Sequence, residues 1–298
     1  MPEAEYFTDK DGVAVAYYRW NPSGPPKAIV LIAHGASEHG ARYDRFASFL
    51  AAHDYAVFAQ DHRGHGNTAK VTGAGIAGPG GWDAILRDEH ELNELARQAV
   101  PGVPVVLFGH SMGSFISQGY IQRYGDEIDG LVLSGSAGSM GDVKGTLELL
   151  DAIIPDAGAD SPAPAFAGFN DQFEGRTEFD WLSRDQAEVD KYIADPFCGD
   201  GMPLSLGFAQ GMLSCLNDAW ANEDSLRRDL PVLFITGEMD PVSSNAETVR
   251  ELEARWKDLG IKDLTALYYA GARHELLNET NRDDVQHDVV AWMDRVVG

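Results

Sequence analysis

The chain has 298 residues, 44% hydrophobic and 10% aromatic, with 47 acidic against 23 basic residues and a net charge of −24. That apolar content suffices for a packed core and excludes a disordered chain. The negative surface repels phosphate backbones and anionic lipid headgroups, so no nucleic-acid partner is expected and membrane-surface contact is at most transient.

Segments 4–8 and 13–19 alternate in polarity around Asp9-Lys10-Asp11-Gly12, which predicts a β-hairpin. Apolar runs follow at 28–35, 55–66, 103–113, 129–138, 230–240 and 264–274, each ending in Gly or polar residues. Such runs fit strands buried on both faces. Between them, 42–54, 85–100, 114–125, 245–260 and 282–297 carry apolar residues at helical spacing. Strands alternating with helices predict an α/β fold, a mostly parallel sheet covered on both faces, with ligands at the carboxyl ends of the strands. Residues 141–210 break the alternation with TLELLDAII, SPAPAFAGFN and WLSRDQAEVDKYIADPFCG. We read them as a mainly helical cap inserted between core parts 1–140 and 211–298. Cys198 and Cys215 lack any metal-ligand spacing, so free thiols are expected. The start, MPEAEYFTDKDG, has no leader character, and no apolar run approaches the roughly 20 residues of a membrane helix. A cytoplasmic protein is expected.

GHSMG (109–113) lies between the run VPVVLF and the helical pattern SFISQGYIQRYG. A nucleophile elbow needs that setting: glycines where a Cβ would clash, and a serine held out at the sheet's edge. The alternative is a serine that merely caps the helix. Ser139-Met140-Gly141 shares letters with the motif but lacks its leading Gly and its helix, and reads as a loop into the cap. A serine hydroxyl is a weak nucleophile without a base, so a His and an acid must follow, in the order Ser, Asp, His. Asp240 and His274 end two later runs in that order, with Glu238 as the rival acid. The oxyanion needs two N–H donors. Met112, next to the nucleophile, supplies one, and Ala36 in the early loop HGASEHG supplies the other. His62 and His65 fit loop-shaping hydrogen bonds better than a metal site, and His110 fits packing better than a base. No metal or organic cofactor is needed.

HGASEHGARY, DHRGHGNT, GHSMGS, Gly237 to Asp240 and GARHELLNE together resemble the monoacylglycerol lipase and lysophospholipase branch of the α/β-hydrolases, over nearly the whole chain. LSRDQAEVDKYIADP (182–196) resembles a cap segment of the same branch. The resemblance implies an α/β-hydrolase fold with Ser111, Asp240 and His274 as triad and Ala36 and Met112 as oxyanion donors. It puts Glu38 and Arg42 near the alcohol end of the pocket, where the other reading is a salt bridge bracing the loop. It allows Tyr192 to line the pocket or simply to pack the cap. The acidic, Ala- and Pro-rich stretch at about 141–165 departs from the branch's membrane-docking lids.

The expected activity is hydrolysis of carboxylic esters through an acyl-enzyme, with a monoacylglycerol as the favoured small-molecule substrate, giving fatty acid and glycerol. The alternatives are a carboxylesterase for short-chain or lysophospholipid esters, an amidase or peptidase of the same fold, and a non-catalytic binding protein.

Overall fold

The computed structural model describes residues 2–173 and 175–298. Eight strands form one sheet: β1 (Glu5–Thr8), β2 (Ala14–Trp20), β3 (Ala28–Ala33), β4 (Tyr55–Gln60), β5 (Val105–His110), β6 (Gly130–Ser134), β7 (Val232–Gly237) and β8 (Leu264–Tyr269). Their order across the sheet is β1-β2-β4-β3-β5-β6-β7-β8. β1 and β2 form the antiparallel hairpin, β2 pairs antiparallel with β4, and all later pairings are parallel. β3 to β7 are buried along their whole length, while β8, at the edge, is only half-buried. The mostly parallel sheet therefore matches the expectation.

The helices are α1 (Asp44–Ala52), α2 (Ala69–Thr72), α3 (Gly81–Ala99), α4 (Met112–Tyr124), α5 (Val143–Ala157), α6 (Gln186–Ala194), α7 (Leu206–Ala221), α8 (Glu247–Asp258) and α9 (Arg282–Val297). One face of the sheet packs against Leu92 of α3, Tyr120 of α4 and Val249 and Trp256 of α8. The other packs against Phe46 and Leu50 of α1 and Val289 and Trp292 of α9. Two helices start earlier than periodicity suggested. α3 begins at Gly81 rather than 85, because Gly80 and Gly81 take left-handed φ of 79° and 58° and turn the chain directly into it. α4 begins immediately after Ser111.

Between β6 and β7 the chain makes a long, mainly helical excursion through α5, α6 and α7, with one isolated bridge, Pro162 to Ser205. Residue 210 lies inside α7. The excursion rises over the carboxyl ends of the parallel strands. It is tied down there: Arg273 donates to the Asp180 carbonyl, Ser183 Oγ donates to the Asn278 carbonyl at 2.8 Å, and Arg184 pairs with Glu279 at 2.8 Å.

Candidate active site

β5 runs into α4 with one residue between His110 and Met112. That residue, Ser111, has φ 53° and ψ −122°, a conformation side chains rarely adopt. The turn closes only because its neighbours lack side chains. A Cβ on Gly113 would sit 1.9 Å from the Ala33 carbonyl oxygen, and one on Gly109 would sit 2.3 Å from Ser117 Oγ. Ser111 Oγ does not cap α4, so the helix-capping reading fails. The hydroxyl instead faces a cavity.

Asp240 and His274 follow the ends of β7 and β8, and the sheet register brings them to the same place. His274 Nδ1 and Asp240 Oδ1 are 2.9 Å apart, both side chains buried. Asp240 Oδ1 also accepts from Val242 N at 2.9 Å, which fixes the carboxylate. Burial alone would make His274 harder to protonate. The charge and hydrogen bond of Asp240, aided by Glu275 and Glu38, outweigh it and hold the His274 pKa above the usual histidine value. The rival acid, Glu238, is half-exposed and pairs with Arg250 at 2.9 Å.

Ser111 and His274 line one cavity together with Gly35, Ala36, Glu38, Glu275, Phe166, Trp181 and Tyr192. The enclosed space is about 10 Å³, roughly the room for one water. Trp181, from the excursion between β6 and β7, lies on the His274 ring with centroids 5.0 Å apart, and Phe166 lies on Trp181 at 5.7 Å. The loop after β3 brings Ala36 to the same cavity, while Met112 is the first residue of α4, where helix geometry leaves N–H groups unpaired. Among the described residues, no turn or cap hydrogen bond uses the N–H of Ala36 or Met112.

Glu38 and Arg42 form a salt bridge at 2.5 Å, so the bracing reading describes a real contact. They also line a polar recess that shares Glu38, His110 and Glu275 with the cavity as lining residues. Tyr192 is buried against the cavity, with the Arg42 guanidinium 4.8 Å from its ring. His110 bonds Ser134 Oγ at 3.2 Å, and burial followed by the neighbouring His274 lowers its pKa to about 4, so it stays neutral. Three residues here escaped sequence reasoning: Glu275, Trp181 and Phe166. Glu275 had a signal, an acid directly after the expected base. The two aromatics had none, because only the cap's path delivers them.

Among the described residues one cluster has metal-ligand spacing. His39, Asp195 and Cys198 bring their donor atoms within 4.8 Å. His39 Nε2 and Asp195 Oδ2 already bond each other at 3.0 Å. Burial pushes the Cys198 thiol well above its usual range, which disfavours the thiolate a metal needs. The cluster serves as a clasp between the early loop and the end of α6. Both cysteines are free.

Comparison with known proteins identifies the family. The Hydrolase_4 family, described as "Serine aminopeptidase, S33", matches residues 24–281. The chain is 30% identical to the monoacylglycerol lipase of Mycolicibacterium smegmatis over 96% of its length and 95% of that protein's. It is 29% identical to the monoglyceride lipase of Mus musculus over 97% of its length and 89% of that protein's. A thermostable carboxyl esterase from Bacillus coagulans, solved in complex with glycerol, superposes with a TM-score of 0.90 at 26% identity, covering 100% of both chains. The chain belongs to the Hydrolase_4 family, on the monoacylglycerol lipase-like branch of the α/β-hydrolases.

Proposed function

We propose that this protein hydrolyses monoacylglycerols to fatty acid and glycerol through an acyl-enzyme on Ser111. The observation that carries the reading is the buried Asp240–His274 pair facing, across one small cavity, a serine held at φ 53°. Ser111 Oγ attacks the ester carbonyl while His274 Nε2 takes its proton. The developing oxyanion lies against the N–H groups of Ala36 and Met112, which no turn or cap hydrogen bond occupies among the described residues. Collapse of the intermediate expels the alcohol, which leaves with the proton from His274. Water, deprotonated by the same His274, then releases the acid. Asp240 fixes the imidazole tautomer and balances the imidazolium charge.

The near-complete lipase relatives favour a monoacylglycerol over an amide. Bound acyl chains need a pocket of roughly 300 Å³ or more, far above the space now beside Ser111. In this reading the cap, 141–210, opens for each substrate, with Phe166 and the glycine-flanked stretch around it the part that moves. No helix among the described residues is long and apolar enough to cross a membrane. We place the protein in the cytoplasm, meeting lipid only transiently.

A fluorophosphonate tests the chemistry directly. It should label the wild-type chain at Ser111, with loss of hydrolysis, and leave Ser111→Ala unlabelled. A wild-type chain that resists labelling would overturn the proposal.

A further inference from the structure

The buried part of the cavity's polar end carries more negative charge than its one buried guanidinium neutralises. Arg42 Nη1 lies 2.5 Å from Glu38 and 2.7 Å from Glu275, and Arg42 Nη2 lies 3.0 Å from Glu275. All three side chains are nearly buried, at 12%, 4% and 7% exposure for Arg42, Glu38 and Glu275. The other contacts of the two carboxylates are neutral: Gly35 N and Tyr43 OH donate to Glu38, and Asn278 Nδ2 donates to Glu275. Arg45, the other cation of the recess, is half-exposed and turned to Glu188 at 2.9 Å. Lys191 also pairs with Glu188, His39 pairs with Asp195, and His110 is neutral. Asp240 is balanced by His274 once that ring is protonated. Arg45 and Lys191, which share Glu188, bring one positive charge on the solvent-exposed side, whereas the buried set of Glu38, Arg42 and Glu275 carries one surplus negative charge.

The walls facing it are aromatic. Trp181, Phe166 and Tyr192 line the same cavity as both carboxylates. Aromatic faces beside a buried negative charge suit a quaternary ammonium group and repel a phosphate.

We propose that Glu38, Arg42 and Glu275 form a charge filter on the alcohol half of the ester. The filter admits neutral and cationic alcohols, rejects anionic ones, and takes its sign from Glu275. The proposal rests on the ester-hydrolase reading above and adds an activity to it: hydrolysis of fatty-acyl choline esters. In that reaction the Ser111 Oγ–acyl bond forms as the acyl–oxygen bond breaks. Choline leaves with the proton carried by His274, and water then frees the fatty acid and restores Ser111. Glu275 acts on the leaving alcohol through its charge and takes no proton.

The test compares kcat/KM for three octanoyl esters, of choline, of glycerol and of glycerol 3-phosphate, each below its aggregation threshold. The filter predicts choline and glycerol esters within about tenfold of each other and the phosphate ester roughly 100-fold slower. Glu275→Gln keeps the shape and removes the charge. It should narrow the glycerol-to-phosphate gap by roughly tenfold and lower the choline-to-glycerol ratio. Ratios that move less than about twofold would overturn the filter. Where that variant does not fold, the wild-type chain decides in about 0.5 M NaCl. A buried charge keeps its discrimination, whereas rejection by the general surface charge collapses under screening, and a collapse sinks the proposal. Turnover of none of the three esters would instead overturn the ester-hydrolase reading. The filter is then read from fluorophosphonate labelling of Ser111: slowing by choline and not by glycerol 3-phosphate supports it, and the reverse refutes it.

Discussion

Histidines are buried in two neighbouring regions at the carboxyl end of the sheet. After β8, His274 has the Asp240 carboxylate at 2.9 Å, and its pKa is held above the usual value despite full burial. After β3 and β4, His34, His62 and His65 cluster with ring centroids 4.1 and 5.3 Å from His34. Their partners are backbone groups and an amide, and burial takes His62 and His65 down to about 3 and 4. The nearest acid, Glu89, lies 4.0 Å from His62 and is itself pushed up to about 8 by burial. Burial thus disarms a histidine as a base at neutral pH in one region. In the other, the Asp240 carboxylate in direct contact raises the ring's affinity for a proton.

On the proposed mechanism the largest effect comes from removing the Ser111 hydroxyl. Ser111→Ala should cut ester kcat by about a millionfold, measured by fatty-acid release, with the folded fraction unchanged by circular dichroism. Asp240→Asn converts the first region towards the second. It should lower kcat about 10⁴-fold and shift the acid limb of kcat/KM to lower pH. In the wild type that limb lies above about 6.5, because activity needs neutral His274 and is lost as pH falls through its raised pKa. An acid limb unmoved by the substitution would break the comparison.

The second region should show itself in stability rather than rate. Glu89 is protonated in the fold up to about pH 8, whereas in the unfolded chain it ionises near pH 4.3. The native state therefore loses stability as pH rises from about 4.3 and regains none when it falls short of that window; above pH 8 the loss is complete. Glu89→Gln removes this slope. Relative to wild type it should gain up to a few kcal/mol at alkaline pH and little near pH 4, read from urea midpoints. The smallest expected effect is that of His65→Gln. The His65 Nε2 atom is buried without a partner among the described residues, so the change should move stability by about 1–2 kcal/mol and leave the pH profile of hydrolysis in place.

The core of this arrangement was legible in the sequence because its signals are local or ordered along the chain. GHSMG between a buried run and a helical pattern locates Ser111, and Asp240 and His274 follow at later strand ends in the order expected after such an elbow. Between Asp240 and Glu238 the letters alone do not decide; the structure shows Asp240 turned to His274 and Glu238 at the surface with Arg250. What escaped was long-range. Trp181 reaches His274, and Phe166 reaches Trp181, only because the excursion between β6 and β7 folds back over the sheet, and no spacing encodes that. Glu275 was visible as a letter, but its meaning depends on sharing Arg42 with Glu38 across 233 residues of chain. The early starts of α3 and α4 were hidden because Gly80, Gly81 and Ser111 take rare backbone conformations that place a helix straight after a turn.

The most direct test of the account is fatty-acid release from monoacylglycerols of graded chain length, with Ser111→Ala as the blank. The account predicts turnover that peaks at medium or long chains, as the opened cap accommodates them, and that vanishes in the blank. Turnover that survives in Ser111→Ala, or a wild-type enzyme silent across the whole series, would contradict it.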